Sequence, residues 1–501
     1  MKSFHRFAVL ILSIAAVSSV ASEAQFRAGF TTRDITPGIG TEKPGGYGKS
    51  YNRYMHDPCK VRVAVFDDGK EAVALVGIDS LAVPRELVLE ARAAITKRCG
   101  IPGSHVLVGA SHSHSSGPVG MIQPGQFDHA SPLVRKLAYE DSSLADADYL
   151  RDLQQAIVDG VCSAYERRQE ARCAFASGHE DKVAFNRRLR MKNGLTFSHP
   201  GTMNPDVVDY AGPIDPEVGV IAAYDTEDKL LGVIVNYACH ATTSPGGISA
   251  NWIYYLEQTI QGALQTPAPV VFLQGACGDI TQVDNLTQYA RPAPERWARQ
   301  VGGRVGAEAV RTILLAEPGG NIPISARQRV WKIARRRPSS EHLKRSLEIV
   351  SKDSAKTPGH DRIFAKEIVL LDALIASEPE VEVEVQAIQV GPAVFVSNPA
   401  EFFVNLGLEI KSGSPFPFTF PVELANGCTG YVPTEEAFSS AGGGYETRLT
   451  SYSNLEITAG TQMVQAGIAL TKLLKPGPVP KPPPARQGSP WVYGNVAPQR
   501  Q

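Results

Sequence analysis

The chain has 501 residues with 43% hydrophobic content, which supports a large buried core, excludes disorder for most of its length, and points to one large catalytic domain or two ordinary ones. Lysine and arginine number 50 against 51 for aspartate and glutamate. No global field therefore steers the protein to nucleic acid or to an acidic membrane surface.

At the amino end, Lys2, His5 and Arg6 precede the apolar run "FAVLILSIAAVSSVA", and small residues follow at Ala21, Ser22 and Ala24. This layout predicts an export signal over residues 1–24, cut near Ala21 or Ala24, with a retained anchor as the alternative. The mature protein is then expected in the periplasm or outside the cell. "VRVAVFDDGKEAVALVGID" predicts two strands paired around Asp67, Asp68 and Gly69, "ELVLEARAAITKRC" a helix with Cys99 near its end, and "HVLVGAS" a returning strand. A long helix is expected from about Leu144 to Glu170, then the hairpin "EVGVIAAYDTEDKLLGVIVNYA". Helix "NWIYYLEQTIQGAL", strand "VVFLQGA", helix "PERWARQVGGRVGAEAVRTIL", strand "PAVFVSNPA" and a last helix "LEITAGTQMVQAGIALTKLL" continue the pattern. The alternation predicts an α/β fold with a mixed sheet.

A dense basic run, "RQRVWKIARRRPSSEHLKR" over 327–345, reads as a solvated helix or lid edge, or as a peripheral contact with anionic headgroups. Prolines in "KPGPVPKPPPARQGSP" exclude helix and central strand. The expected organisation is a catalytic domain over 25–475 and a proline-rich tail over 476–501, the tail acting as a linker, a truncated connection or a surface strap. The seven cysteines have no metal-finger spacing, and their odd number leaves one unpaired if all bonds are internal. Cys162 and Cys173 are spaced to close a short loop, although a domain of this size is held by its core and needs no disulfide scaffold.

Polar clusters recur where four apolar runs end. "HVLVGAS" opens onto His112 and His114, "LGVIVNYAC" onto His240, "VVFLQGAC" onto Asp279 and Thr281, and "AVFVSN" onto Glu401. Ligands of α/β sheets bind at the carboxyl ends of strands, so these clusters can share one cleft. Zinc takes about four nitrogen, oxygen or sulfur ligands, and His112, His240 and Glu401 supply such atoms. His112 and His114 face one side if the segment stays extended; a turn at Ser115–Pro118 instead leaves one for metal and one for substrate or protons. Spacing alone leaves zinc ligation and a hydrogen-bonded polar pocket both open.

The run "SHSHSSGP" resembles the T-H-T-H-S-G-P signature of neutral, non-lysosomal ceramidases, and further similarities follow in order. "FRAGFTTRDITP", "FNRR", "IDPEVGVI", "VNYACHATT", "GDIT", "NPAEFF" and "NGCTGYVPTEEAFSSAGGGYE" resemble successive segments of that family, over roughly residues 27 to 455. The resemblance implies the family's mixed-sheet catalytic domain, here without its C-terminal immunoglobulin-like domain. It implies Zn2+ held by His112, His240, Glu401 and Tyr445. His114 is then a proton-handling or substrate-binding group, Arg187 a donor to the scissile carbonyl, and Asp279, Thr281 and Tyr452 complete the catalytic set. The implied reaction is hydrolysis of a ceramide-like N-acyl amide by metal-activated water, with a lipid amide or ester as the small-molecule partner.

Departures from the pattern stand at Thr281–Gln282, where the family has Ser-Pro, in "NRRLR", and at Thr447–Arg448. A zinc esterase, lactonase or sugar-amide deacylase acting on a smaller polar substrate, or a binding protein without catalysis, fits the same residues. Asp279 reads equally well as a helix cap. Thr281 has no general base beside it in sequence.

Overall fold

Strands β1 (Arg27–Asp34), β2 (Lys60–Asp67), β3 (Ala72–Ile78) and β4 (Val106–Ala110) build the first sheet, with helices α1 (Arg85–Cys99), α2 (Pro132–Tyr139) and α3 (Ala147–Glu166) between and after them. The computed structural model describes residues 25–352, 359–488, 491–494 and 496–501, so the expected export signal lies outside the described residues. Sheet order is β4-β3-β2-β1-β5, where β5 (Gln169–Glu170) pairs with Arg27 and Ala28. β2 and β3 form the expected antiparallel hairpin, and β3 runs parallel to β4 after the α1 crossover. The long helix starts later than expected because Asp146 accepts hydrogen bonds from the N–H groups of Asp148 and Tyr149, satisfying donors that a first turn leaves free. It ends earlier because Gln169 and Glu170 join the sheet.

The middle of the chain adds β6 (Arg172–His179), β7 (Phe185–Asn186), β8 (Arg188–Met191), β9 (Thr196–Ser198), β10 (Val207–Tyr210), β11 (Glu217–Tyr224) and β12 (Leu230–Tyr237). Helix α4 (Trp252–Leu264), β13 (Val270–Gln274), β14 (Ile280–Thr281) and α5 (Pro294–Ile313) follow. The second sheet has the order β13-β12-β11-β6, with β12 parallel to β13 across α4. The last part contains β15 (Ile324–Ala334), α6 (Ser340–Val350), α7 (Gly359–Ser377), β16 (Glu380–Val390), β17 (Ala393–Ser397), β18 (Glu401–Phe402), α8 (Val404–Gly413), β19 (Phe418–Val422), β20 (Tyr431–Val432) and α9 (Ala459–Lys472). Its sheet runs β15-β16-β17-β19, with β17 parallel to β19 across α8. Each of these three larger sheets thus contains one parallel pair joined by a helix, and such a pair places two carboxyl strand ends side by side.

The basic run corrects one expectation. Residues 327–334 belong to β15 and pair with β16 along their length, and only Ser340 onward is helical. Pairing with a neighbouring strand decides the conformation, while the charged side chains occupy the outer face. The cysteines correct another. Cys173 lies on β6 in the core shared by the sheets, whereas Cys162 lies on α3 in the core between that helix and the first sheet. Cys162 contacts Cys99 and not Cys173, Sγ to Sγ at 3.0 Å.

The three sheets meet in a common apolar cluster. Phe66, Leu75 and Leu107 of the first pack with Ile221, Ile234 and Leu273 of the second and with Ile388, Phe395 and Phe420 of the third. Gly77 on β3 permits the approach of β13, since a Cβ there would lie 2.3 Å from the Phe272 carbonyl oxygen. One segment then stitches the strand ends together. The N–H of Glu423 donates to Gln274 at the end of β13, Leu424 to Ala400, Ala425 to Asn398, and Asn426 to Val108, while Ala110 donates back to Leu424. Asn426 adopts φ 63°, its Oδ1 accepts the Val108 N–H at 2.9 Å, and its Nδ2 donates to Gln386 at 2.9 Å.

The start of the proline-rich tail lies along the third sheet. The Lys475 carbonyl accepts from Gln389 Nε2 at 2.6 Å, and the Gly477 N–H donates to Gly391. Among the described residues no helix is long and apolar enough to cross a membrane.

Candidate metal centre at the strand ends

β4 runs on through Ser111 and turns sharply at His112, whose φ of 61° is left-handed; a non-glycine residue pays about 1–2 kcal/mol for this conformation. The turn aims the His112 ring inward, with Nδ1 at 2.9 Å from the Leu81 carbonyl. His240, three residues beyond β12, holds its Nδ1 at 2.7 Å from the Cys277 carbonyl. A carbonyl only accepts, so in each ring Nδ1 carries the hydrogen and Nε2 turns a lone pair toward the centre. Glu401 on β18 meets both: its Oε2 is 3.1 Å from His240 Nε2 and 3.3 Å from His112 Nε2. His114 Nε2 lies 3.2 Å from His112 Nε2, and the ligand atoms of the three histidines fall within 4.8 Å of one another.

Two imidazole lone pairs and a carboxylate facing one point repel unless a cation or extra protons sit among them. His112, His240 and Glu401 are at most 2% exposed, so water cannot relieve the repulsion. Burial pushes the Glu401 carboxyl up, but His112 and His240 outweigh it and hold it well below the ordinary range. Burial pushes His112 down, and Glu401 overrides it to leave the ring above its ordinary value. Burial, followed by the Arg187 charge, depresses His240 to about 3. The donor set of neutral imidazoles and one carboxylate is the set that binds zinc; the residues present fit the metal that the resemblance implies.

Arg187, between β7 and β8, is buried beside this centre. Its Nε donates to Glu446 Oε1 at 2.7 Å, Nη2 to the Gly278 carbonyl at 2.7 Å and to the Tyr431 hydroxyl at 3.1 Å. Nη1 lies 3.2 Å from His240 Nε2, which leaves one edge of the guanidinium facing the centre. Burial, then the neighbouring His112 and His240 rings, hold His114 well below its ordinary pKa. Its ring is pressed by the 45–48 loop: a Cβ on Gly45, which has φ +93°, would lie 2.3 Å from His114 Nδ1.

Tyr445 reaches the same region, its hydroxyl 3.4 Å from Arg187 Nη2 and hydrogen-bonded to the Tyr431 hydroxyl. Burial raises its phenol to about 12, against the lowering effect of Arg187. The other sequence-derived candidates sit further out. Asp279 is a clamp: Oδ1 accepts the N–H of Val404 at the start of α8, Oδ2 accepts Asn186 Nδ2, and its carbonyl accepts the Arg187 N–H. Thr281 Oγ1 contacts Gln282 Oε1 and the Val283 N–H, each at 3.4 Å, and no histidine. The Tyr452 hydroxyl lies 3.4 Å from Cys428 Sγ, and its ring packs edge-on against Tyr431 at 5.7 Å.

Sequence reasoning missed Glu423, Glu446 and Tyr431. Glu423 Oε2 accepts the N–H groups of Cys277 and Phe402 at 2.8 and 2.9 Å, fixing the loop behind His240 and the strand that carries Glu401. Burial raises its carboxyl to about 8. The Tyr445–Glu446 pair after three glycines was the available signal for Glu446; a lone carboxylate in "PVELANG" gave none for Glu423.

Comparison with known proteins places this geometry in context. No family model matches the chain. A curated neutral ceramidase of Pseudomonas aeruginosa is 29% identical over 144 residues, which span 28% of this chain and 18% of that protein. The crystal structure of neutral ceramidase from Pseudomonas aeruginosa superposes with a TM-score of 0.66 at 19% identity, over 93% of this chain and 77% of that one. A ceramidase complexed with C2 gives 0.64 at 18% identity over the same shares. The mixed-sheet α/β fold is therefore that of the neutral ceramidase structures, and the resemblance read from the motifs extends in fold across nearly the whole chain.

Proposed function

We propose that the chain is a metal-dependent hydrolase that cleaves an N-acyl amide of the ceramide type with water, giving a carboxylic acid and an amine. The observation that carries this reading is the meeting of His112 Nε2, His240 Nε2 and Glu401 Oε2 beside the Nη1 edge of buried Arg187. Zinc held by these three residues and Tyr445 would supply Lewis acidity and activate water near neutral pH. Arg187, anchored by Glu446, Gly278 and Tyr431, stays cationic and stabilises negative charge on the carbonyl oxygen as attack proceeds. His114, whose Nε2 lies 3.2 Å from His112 Nε2, stands where it would handle the proton passing from the attacking water to the departing nitrogen. Tyr431 orients both Arg187 and Tyr445.

A second reading, a zinc esterase, lactonase or deacylase for a smaller polar substrate, is favoured by one observation. Gln282, which stands where the family has proline, pairs its side-chain amide with the Thr242 hydroxyl at 2.9 Å, adding polar groups two residues from His240. An apolar groove discriminates chain length by only about 1–3 kcal/mol per methylene, so few changed contacts suffice to shift the preference.

The test has two parts. Elemental analysis of the native protein should find stoichiometric zinc, with activity lost on chelation and restored by the metal. A panel of amides, esters and lactones of graded length should then give the highest kcat/KM for long-chain N-acyl amides. A peak at short polar substrates selects the second reading. No transition metal, with activity surviving chelation, ends both.

A further inference from the structure

We propose that Cys99 and Cys162 form a disulfide that staples the end of α1 to α3 and closes the stretch of chain carrying His112 and His114. The thiols belong to helices that pack side by side on the first sheet, and their Sγ atoms already touch at 3.0 Å. A disulfide needs about 2.05 Å, a movement of roughly 1 Å that rotation of two side chains can supply. Among the described residues no other pair of thiols makes such a contact, and all seven cysteines are free.

Two neighbouring features hold the thiols in register. Arg98 forms an ion pair with Asp159, so the residue before Cys99 is tied to the residue one turn before Cys162. Cys99 Sγ also donates to the Ile95 carbonyl one turn back at 3.3 Å. Access comes from one side only. Cys162 is buried, while Cys99 is half-exposed and is followed by Gly100, in left-handed conformation at φ 79°.

The reaction is thiol–disulfide exchange with a protein or small-molecule disulfide. Cys99, as thiolate, attacks one sulfur of the reagent and releases one thiol; Cys162 then attacks the mixed disulfide at the Cys99 sulfur and releases the second. The two cysteine thiols lose two electrons, the reagent disulfide gains them, and both thiol protons pass to the leaving thiolates. The bridge spans 63 positions of chain, which include β4, the His112–His114 turn and α2. The restriction on the unfolded chain grows with the length of the closed loop, so the bond would restrain the segment that delivers two of the clustered imidazoles.

The experiment uses the full chain with its metal. Reduced protein is incubated with oxidised glutathione, remaining thiols are alkylated, and the peptides are mapped without reduction. A linked peptide pair containing Cys99 and Cys162, and a thermal midpoint that falls on reduction in the wild type but not in Cys99→Ser or Cys162→Ala, is the expected result. The peptide map needs no variant, so a poorly folding substitution does not blunt the test. Alkylation of both cysteines after oxidation, a bridge to another cysteine, or an equal redox shift in the variants overturns the proposal.

Discussion

Arg187 and Glu446 form a buried ion pair, Nε to Oε1 at 2.7 Å, with side chains 6% and 0% exposed. The pair fixes which edge of the guanidinium faces His240. Replacing Glu446 leaves a buried cation without its counter-charge, which costs about 3–5 kcal/mol in comparable sites. Glu446→Gln keeps one acceptor and should fold, with kcat reduced about 10- to 100-fold and metal content unchanged. An unchanged kcat in a variant with full metal would show that Arg187 needs no anchoring.

His112 and His114 stand in contact but should behave differently. His112→Ala should lose metal, because the Nε2 lost is one of the two imidazole nitrogens facing Glu401. His114→Ala should retain metal and lose turnover, about 100-fold or more for a lost proton carrier. Elemental analysis beside single-turnover rates separates the two, and equal metal loss would place His114 among the ligands.

Asp57 provides a pH-dependent element away from the centre. Its Oδ1 accepts the Ala250 N–H at 2.8 Å and its Oδ2 the Ser249 hydroxyl at 2.5 Å, and burial raises the carboxyl from 3.8 to about 7. A raised pKa means that the protonated form is favoured by folding: its contribution is complete below about pH 4 and disappears as pH rises through about 7. The loss is up to about 4 kcal/mol by the linkage relation. Denaturant unfolding between pH 5 and 8 should show wild-type stability falling relative to Asp57→Asn. Parallel curves would place the carboxyl near its ordinary value.

Asn426 joins β4 to β16 through Val108 and Gln386 and occupies φ 63°. Asn426→Ala removes these bonds and puts a Cβ with no polar partner in a left-handed conformation, for a cost of about 3 kcal/mol. Asn426→Gly, which relieves only the conformational part, should recover about 1 kcal/mol. Urea denaturation of both variants measures the split, and a cost within 0.5 kcal/mol of zero, about the noise of surface substitutions, would show the clamp to be redundant.

Most of the fold was legible because apolar periodicity marks strands and helices directly, as in β2, β3, α1, α4 and β13. The basic run was not, because charges on the exposed face of β15 hide a pattern that only pairing with β16 reveals. At the centre, His112, His240 and Glu401 were readable from polar residues placed just after apolar runs. Glu423 was not, since a buried carboxylate that serves two backbone N–H groups carries no spacing signature. The same limit holds for Asp279, whose letter looks the same in a cap as in a catalytic site, and for Tyr452, whose hydroxyl turns to Cys428.

The stitch formed by Glu423 to Asn426 ties the ends of β4, β13 and β17 through backbone bonds. None of these three strand ends is released without breaking bonds of the shared segment, so the turn that carries His112, the strand that carries Glu401 and the loop behind His240 are held by one device. The amides of Leu424, Ala425, Asn426 and Ala110 should therefore exchange with solvent together, as one cooperative unit. One buried segment of four residues therefore sets how firmly the candidate donors are held together, and a single break in it would loosen three strand ends at once.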